Sequence, residues 1–212
     1  MSSAILPELL FPKPSARALG VAVGLVTNNQ DPDGLGRVKV KYPWLGDDDE
    51  SHWARLVVPM AGDGRGTYFL PEVDDEVLIA FEQGSLDYPY VLGALWNGKD
   101  KPPESNSDGK NNHRTIKSRC GHIIRMNDTD GSETLEIIDK TGNNKIIIGS
   151  SDNSMSIEAS GDITLKANGK IKLSGNGIEI QSQAAASLKA SANLDVNASA
   201  QLNLKGSLVN IN

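Results

Sequence analysis

The chain has 212 residues and a formal net charge of −6, an acidic balance that excludes the broad cationic surface needed to grip a nucleic-acid backbone. Its single cysteine, Cys120, excludes an internal disulfide. Pro7, Glu8, Pro12, Lys13 and Pro14 interrupt the apolar residues at the start, so neither a signal h-region nor a membrane span is expected there.

Residues 1–15 carry Ile5-Leu6-Pro7 and Leu9-Leu10-Phe11-Pro12, in which proline blocks a strand interior. They read as an extended arm, either a frayed terminus or an apolar hook onto a neighbouring subunit. Residues 16–98 hold short runs of strand character: Val21–Val26, Val38–Tyr42, Trp53–Val58, Val77–Phe81 and Tyr90–Leu95. Turn-forming stretches separate them, among them Asp31-Pro32-Asp33-Gly34 and Gly62-Asp63-Gly64-Arg65-Gly66. Antiparallel strands this short predict a small closed barrel, because closure removes edges they could not protect.

Residues 99–134 read as a linker or neck. The segment Lys99–Gly109 is polar and without periodicity, and the short strands Thr115–Ser118 and Gly121–Asn127 follow it. Residues 135–212 are expected to form a rod, with Glu133–Asp139 and Asn144–Ile148 leading in as hairpin strands. The last tryptophan is Trp96 and the last proline Pro103, and no aromatic or proline follows. A slim prism has room near its axis only for aliphatic side chains, so the composition changes where the architecture does.

From Met155 onward, apolar pairs two positions apart recur about every eight residues: Met155/Ile157, Ile163/Leu165, Ile171/Leu173, Ile178/Ile180, Leu194/Val196, Leu202/Leu204 and Val209/Ile211. Residues i and i+2 of a strand face the same way, so each pair predicts one short strand with two inward side chains. Ser160-Gly161, Asn168-Gly169 and Asn176-Gly177 fall at the corners. On a helix, Leu194 and Val196 would lie about 200° apart, so a helix over 183–205 gives no apolar stripe. Two inward side chains per rung contribute roughly 1.5–3 kcal/mol apiece when fully buried, too little to hold an isolated coil. Three chains wound about one axis solve this, since each rung then pairs with its neighbours' rungs at about 4.8 Å spacing. The reading is therefore an all-β chain, a small barrel followed by an intertwined trimeric β-helix. The charges on the outward positions, Glu158, Asp162, Lys166, Lys170, Lys172 and Glu179, are mixed in sign and read as a solvated surface.

Signals for chemistry are weak. Asp128-Thr129-Asp130-Gly131 lacks the first ligand and the final glutamate of a calcium loop and reads as a hairpin turn. Cys120 and His122 have no second ligand pair. The carboxylates at 47–50 and at Glu72, Asp74, Asp75 and Glu76 lie in turn contexts without the aromatic walls of a glycosidase cleft. Gly62–Gly66 lacks the lysine and the strand-to-helix setting of a phosphate cradle. No catalytic, cofactor or metal residue is expected, and an axial ion in the rod stays open.

Blocks Asp31–Val40, Tyr42-Pro43-Trp44, Trp53-Ala54-Arg55, Phe69–Val77 and Asp87–Gly98 resemble, in order, the OB-fold domain of contractile-tail spike proteins. That family includes phage baseplate assembly protein V, the VgrG proteins of type VI secretion and the spikes of extracellular contractile injection particles. Ile116–His122 is similar to the neck that leads into the family's trimeric β-helix. The resemblance implies a homotrimeric needle whose OB barrels seat on a baseplate hub beneath the tail tube. It also implies a C-terminal tip, here Leu208, Val209, Asn210, Ile211 and Asn212, capped by a PAAR-type protein and contacting the target membrane transiently. Such a needle is made in the cytoplasm without a signal peptide and delivered outward on contraction. The family's hub domains and lysozyme insert have no counterpart in this sequence, so the hub is expected to be a separate chain and the role mechanical. The competing class is an OB-fold saccharide-binding module or a module associated with a cell-wall hydrolase.

Overall fold

The computed structural model describes residues 20–46 and 50–210. The arm predicted over 1–15, the carboxylates of 47–49, and Ile211 and Asn212 lie outside the described residues. The chain divides into two units, Met1–Ser160 and Gly161–Asn212. It is all-β, and the helical content of the described residues is one 3-10 turn, Glu82–Gly84.

Seven strands build the barrel: β1 (Val21–Asn28), β2 (Lys39–Lys41), β3 (Arg55–Leu56), β4 (Ala61–Gly62), β5 (Arg65–Gly66), β6 (Glu76–Phe81) and β7 (Pro89–Ala94). Five of them form a sheet in the order β2-β1-β6-β7-β3, antiparallel except where β3 runs parallel to β7. Val38 and Ala54 exchange two backbone hydrogen bonds, of 3.0 and 2.7 Å, which tie the β2 edge to the β3 edge and curl the sheet onto itself. Bulges at Val26/Asn28 and at Leu78/Ile79 sharpen the curvature. Alternation decides the core: Val77, Ile79 and Phe81 of β6 point inward, joined by Val26, Val38, Val40, Tyr42, Ala54 and Val91. Gly24 is where β1 passes so close to β6 that a Cβ would meet Ile79 Cδ1 at 2.5 Å.

Each of the five predicted barrel runs contains an observed strand. The glycine stretch 62–66, read from sequence only as a turn, closes the β4–β5 hairpin through Asp63-Gly64, where Gly64 has φ +61°.

Five further strands follow: β8 (His113–Lys117), β9 (Ile123–Asn127), β10 (Thr134–Ile138), β11 (Lys145–Gly149) and β12 (Ser154–Glu158). They form an antiparallel meander in chain order. Hairpin chemistry fixes each reversal. The Gly121 N–H donates to Ser118 O, Asp139 accepts from the Asn144 N–H and the Thr141 hydroxyl, and Asn153 takes φ 55°. The position at which the sequence reading divides neck from spike, 134/135, falls inside β10, so the meander is continuous across it.

Among its described residues the second unit carries no strand pairing within the chain and no helix, including over 183–205. It is a run of extended segments separated by bends at 160–161, 168–169, 175–176, 183–184, 191–192, 199–200 and 207–208, and all its described residues are exposed. The predicted rung Met155/Ile157 sits in β12, whereas the rungs from Ile163 onward find no strand partner in their own chain. Strand spacing explains the difference. In the meander the apolar pairs lie nine to eleven positions apart, leaving residues for a hydrogen-bonded reversal, whereas beyond Ser160 the spacing falls to seven or eight and the bends redirect the chain without folding it back.

Candidate assembly surface

Register across the meander places five isoleucines side by side: Ile116 opposite Ile124, Ile124 opposite Ile137, Ile137 opposite Ile146, and Ile146 opposite Ile157. Two residues along each strand, on the same face, lies a second row of Arg114, Met126, Leu135, Ile148 and Met155. Nine of these ten side chains are apolar, and Ile137 at the centre is 50% exposed. Monomeric surfaces rarely leave so large a contiguous apolar patch in water. The isoleucine row also lines one wall of an apolar cavity of about 1160 Å³, whose opposite wall is formed by Leu56, Val58, Phe69, Leu70 and Trp96 of the barrel.

The opposite face of the meander is polar apart from Ile123, Ile138 and Ile147, and it holds the neck in place. Glu104 accepts the Thr115 hydroxyl at 2.8 Å and Arg125 Nη2 at 3.0 Å, and lies 3.4 Å from His113 Nδ1. Arg125 reaches on to Glu136 at 3.5 Å. The Thr115 hydroxyl, aided by His113 and Arg125, holds the Glu104 carboxyl below the usual glutamate range.

From Ser160 to the last bend a single rule places every apolar pair. Counting from the second residue of each bend, positions two and four are Ile163/Leu165, Ile171/Leu173, Ile178/Ile180, Ala186/Leu188, Leu194/Val196 and Leu202/Leu204. Positions three and five are polar throughout: Thr164/Lys166, Lys172/Ser174, Glu179/Gln181, Ser187/Lys189, Asp195/Asn197 and Asn203/Lys205. Counted from the residue before each strand, Ile124/Met126, Leu135/Ile137, Ile146/Ile148 and Met155/Ile157 take positions two and four in the same way, although Ile147 and Ile138 stand at positions three and five where the bent segments are polar. The meander and the bent segments therefore share one repeat. Sequence reading missed Leu188 because its partner is the small Ala186. It missed the isoleucine row because cross-strand register, not spacing along the chain, assembles it. After the last bend the phase slips by one: Asn210 takes the second position and Val209 leaves it.

Groups singled out for chemistry are occupied structurally. The Lys140 N–H donates to His122 Nδ1 at 3.2 Å, while Cys120 is exposed. Glu72 pairs with Arg119 at 3.1 Å and its N–H donates to Asp75 at 2.8 Å, while Glu50 binds Lys39 and the Thr27 hydroxyl, each at 2.7 Å. Asp128 pairs with Arg114. Among the described residues no group of three or more His, Cys, Asp or Glu could hold a metal ion. Burial pushes the Tyr42 phenol up. In the β1–β2 loop, Asp31 accepts the Arg37 guanidinium and the N–H groups of Asp33, Leu35 and Arg37. These donors, the guanidinium above all, hold its carboxyl far below the ordinary range.

Residues 22–96, the barrel, match the type VI secretion system/phage-baseplate injector OB domain. The chain is 31% identical over 152 residues to the type VI secretion system spike protein VgrG4b of Pseudomonas aeruginosa, covering 67% of this chain and 18% of the relative. It is 36% identical over 105 residues to VgrG5 of the same organism, covering 46% and 13%. To VgrG3 of Vibrio cholerae it is 28% identical over 120 residues, covering 55% and 11%. The chain thus spans less than a fifth of the length of these three spike proteins. Residues 22–96 therefore form an OB domain of the type VI secretion system/phage-baseplate injector kind, and the chain is similar to VgrG spike proteins.

Proposed function

We propose that three copies of this chain form the central needle of a contractile, phage-tail-like injection machine. The observation that carries this reading is the constant offset between bend and apolar pair. One chain leaves half or more of each large side chain of those pairs in solvent, and three chains related by a threefold axis bury them with one interaction repeated at every rung. Met155, Ile157, Ile163, Leu165, Ile171, Leu173, Ile178, Ile180, Leu194, Val196, Leu202 and Leu204 form the core of that trimer. Leu188 and the isoleucine row of the meander extend it. Residues 135–212 act as the spike, residues 99–134 as the neck, and the barrel of residues 16–98 seats on a baseplate hub protein below the tail tube.

The role is mechanical. In a braided rod the backbone hydrogen bonds run between chains, so buckling requires breaking many of them together. Sheath contraction drives the rod through the target membrane, which it contacts transiently. The phase slip after the last bend marks the distal end of the ladder, where Leu208 to Asn212 meet a PAAR-type tip protein. Sedimentation equilibrium of the full chain tests the reading, with the mass of three chains expected and a dilute folded monomer refuting it. Incubation with peptidoglycan is expected to release no fragments, and turnover would favour a hydrolase.

A further inference from the structure

A second concave surface on the barrel, of about 990 Å³, lies between the β1–β2 loop and the β4–β5 hairpin. In a chain with 27 acidic and 21 basic residues, this groove is lined by three arginines, Arg37, Arg55 and Arg65, and by no Asp, Glu, Asn or Gln. The three differ in how far they are committed. Arg37 is bound to Asp31 and Asp33. Arg55 stacks over Tyr90 at 5.8 Å, and Arg65 folds over its own hairpin at Gly62. Neither Arg55 nor Arg65 meets a carboxylate among the described residues. Around them stand apolar side chains held out into solvent, Leu35 at 69%, Tyr68 at 77% and Phe69 at 67% exposed.

We propose that this groove docks a segment of a partner protein that carries carboxylates among apolar side chains. Two uncommitted guanidiniums, which favour planar bidentate acceptors, set the charge of the occupant. Exposed Leu35 and Phe69 set its apolar character, and arginine with aromatic residues is the composition of interface hot spots. A polysaccharide, whose hydroxyls the arginines, Thr67 and Tyr68 could also engage, is the outcome that the crosslink separates from a protein segment. A nucleic acid is disfavoured by the chain's net charge of −6. The inference rests on the groove alone and does not require the threefold assembly.

The test replaces Leu35 with p-benzoylphenylalanine in the full chain, in the cells that make it, followed by irradiation and mass spectrometry of the crosslinked product. One partner polypeptide is expected, attached through a stretch in which Asp or Glu stands within a few residues of large apolar side chains. R55E/R65E should lower the yield at least tenfold, and Lys101→Glu in the exposed neck should leave it unchanged. Reversing the partner's carboxylates to lysine should restore the crosslink to R55E/R65E. If circular dichroism shows that the double glutamate variant misfolds, R55Q/R65Q is held to the same tenfold criterion. Attachment to carbohydrate, to nucleic acid, to a second copy of this chain or to a stretch without carboxylates overturns the proposal. So does an undiminished crosslink in the double variant, or no crosslink. Sedimentation of the same variants reads the threefold assembly separately, with three-chain mass expected even where the crosslink is lost.

Discussion

Leu173→Asp is the sharpest perturbation of the proposed braided shaft. Leu173 occupies position four after the 168–169 bend and is 67% exposed in one chain. Full burial of a leucine contributes about 1.5–3 kcal/mol, so closing the remaining two thirds gives about 1–2 kcal/mol per copy and about 3–6 kcal/mol per trimer. At 1.4 kcal/mol per decade this is about two to four orders of magnitude in the association constant, before the cost of three unpaired carboxylates at one height on the axis. Those carboxylates also shift upward when crowded together, so the variant should trimerise better as pH falls and they become neutral. Lys172→Asp, one position earlier and outward-facing, changes charge by more and should cost little. Sedimentation velocity over a concentration series, at neutral and acidic pH, measures both. A Leu173→Asp trimer as strong as the parent, or equal weakening by Lys172→Asp, would refute the inward assignment and with it the shared repeat.

Glu104→Gln should loosen the neck from the polar face of the meander, read as faster proteolysis between residues 98 and 112. Because the folded Glu104 value is lowered, its contribution is present above the ordinary glutamate value of about 4.3 and is lost as pH falls below it. The parent should therefore approach the variant in acid, and a pH-independent difference would count against the ion-pair account. Gly24→Val places a side chain against Ile79 Cδ1 and Lys41 O and should lower barrel stability by about 1–3 kcal/mol in urea titration followed by tryptophan fluorescence. An unchanged midpoint would show that β1 and β6 can separate. Asp31→Asn removes the negative charge and one of the two oxygens that together accept Arg37 and three backbone N–H groups. Faster hydrogen exchange at Leu35 and Arg37 is expected at neutral pH, and no change would mean the loop is held by other contacts.

The barrel was legible because a half-buried strand writes its burial into alternation: Val77, Ile79 and Phe81 alternate with Leu78 and Ala80, and all three point inward. The parallel match of β3 to β7 was not, since two residues of pairing leave no pattern. The bent segments were legible as pairs, because Ile171/Leu173 and Leu202/Leu204 repeat one spacing with polar residues between them. The isoleucine row escaped because Ile116 and Ile157 lie 41 positions apart and become neighbours in a row only through four successive registers. The extent of the first unit was not legible for a related reason. Composition changes after Pro103, yet the first unit runs to Ser160, because the meander takes its side chains from the rod's repertoire while its hairpins fold back as in an ordinary domain.

In the proposed trimer, the fixed offset between corner and apolar pair makes shaft length a digital quantity. Excising residues 184–191 joins Gln183 to Ala192, keeps Leu194 and Val196 at their places after the new corner, and yields a needle one step shorter. Losing one residue between a corner and its pair instead turns that aliphatic pair outward and brings the polar residues beside it toward the axis, whereas the 168–175 step, one residue shorter than the others, keeps its pair in place. Reach can thus be retuned by gain or loss of whole repeats, with the barrel, and whatever it seats upon, left untouched.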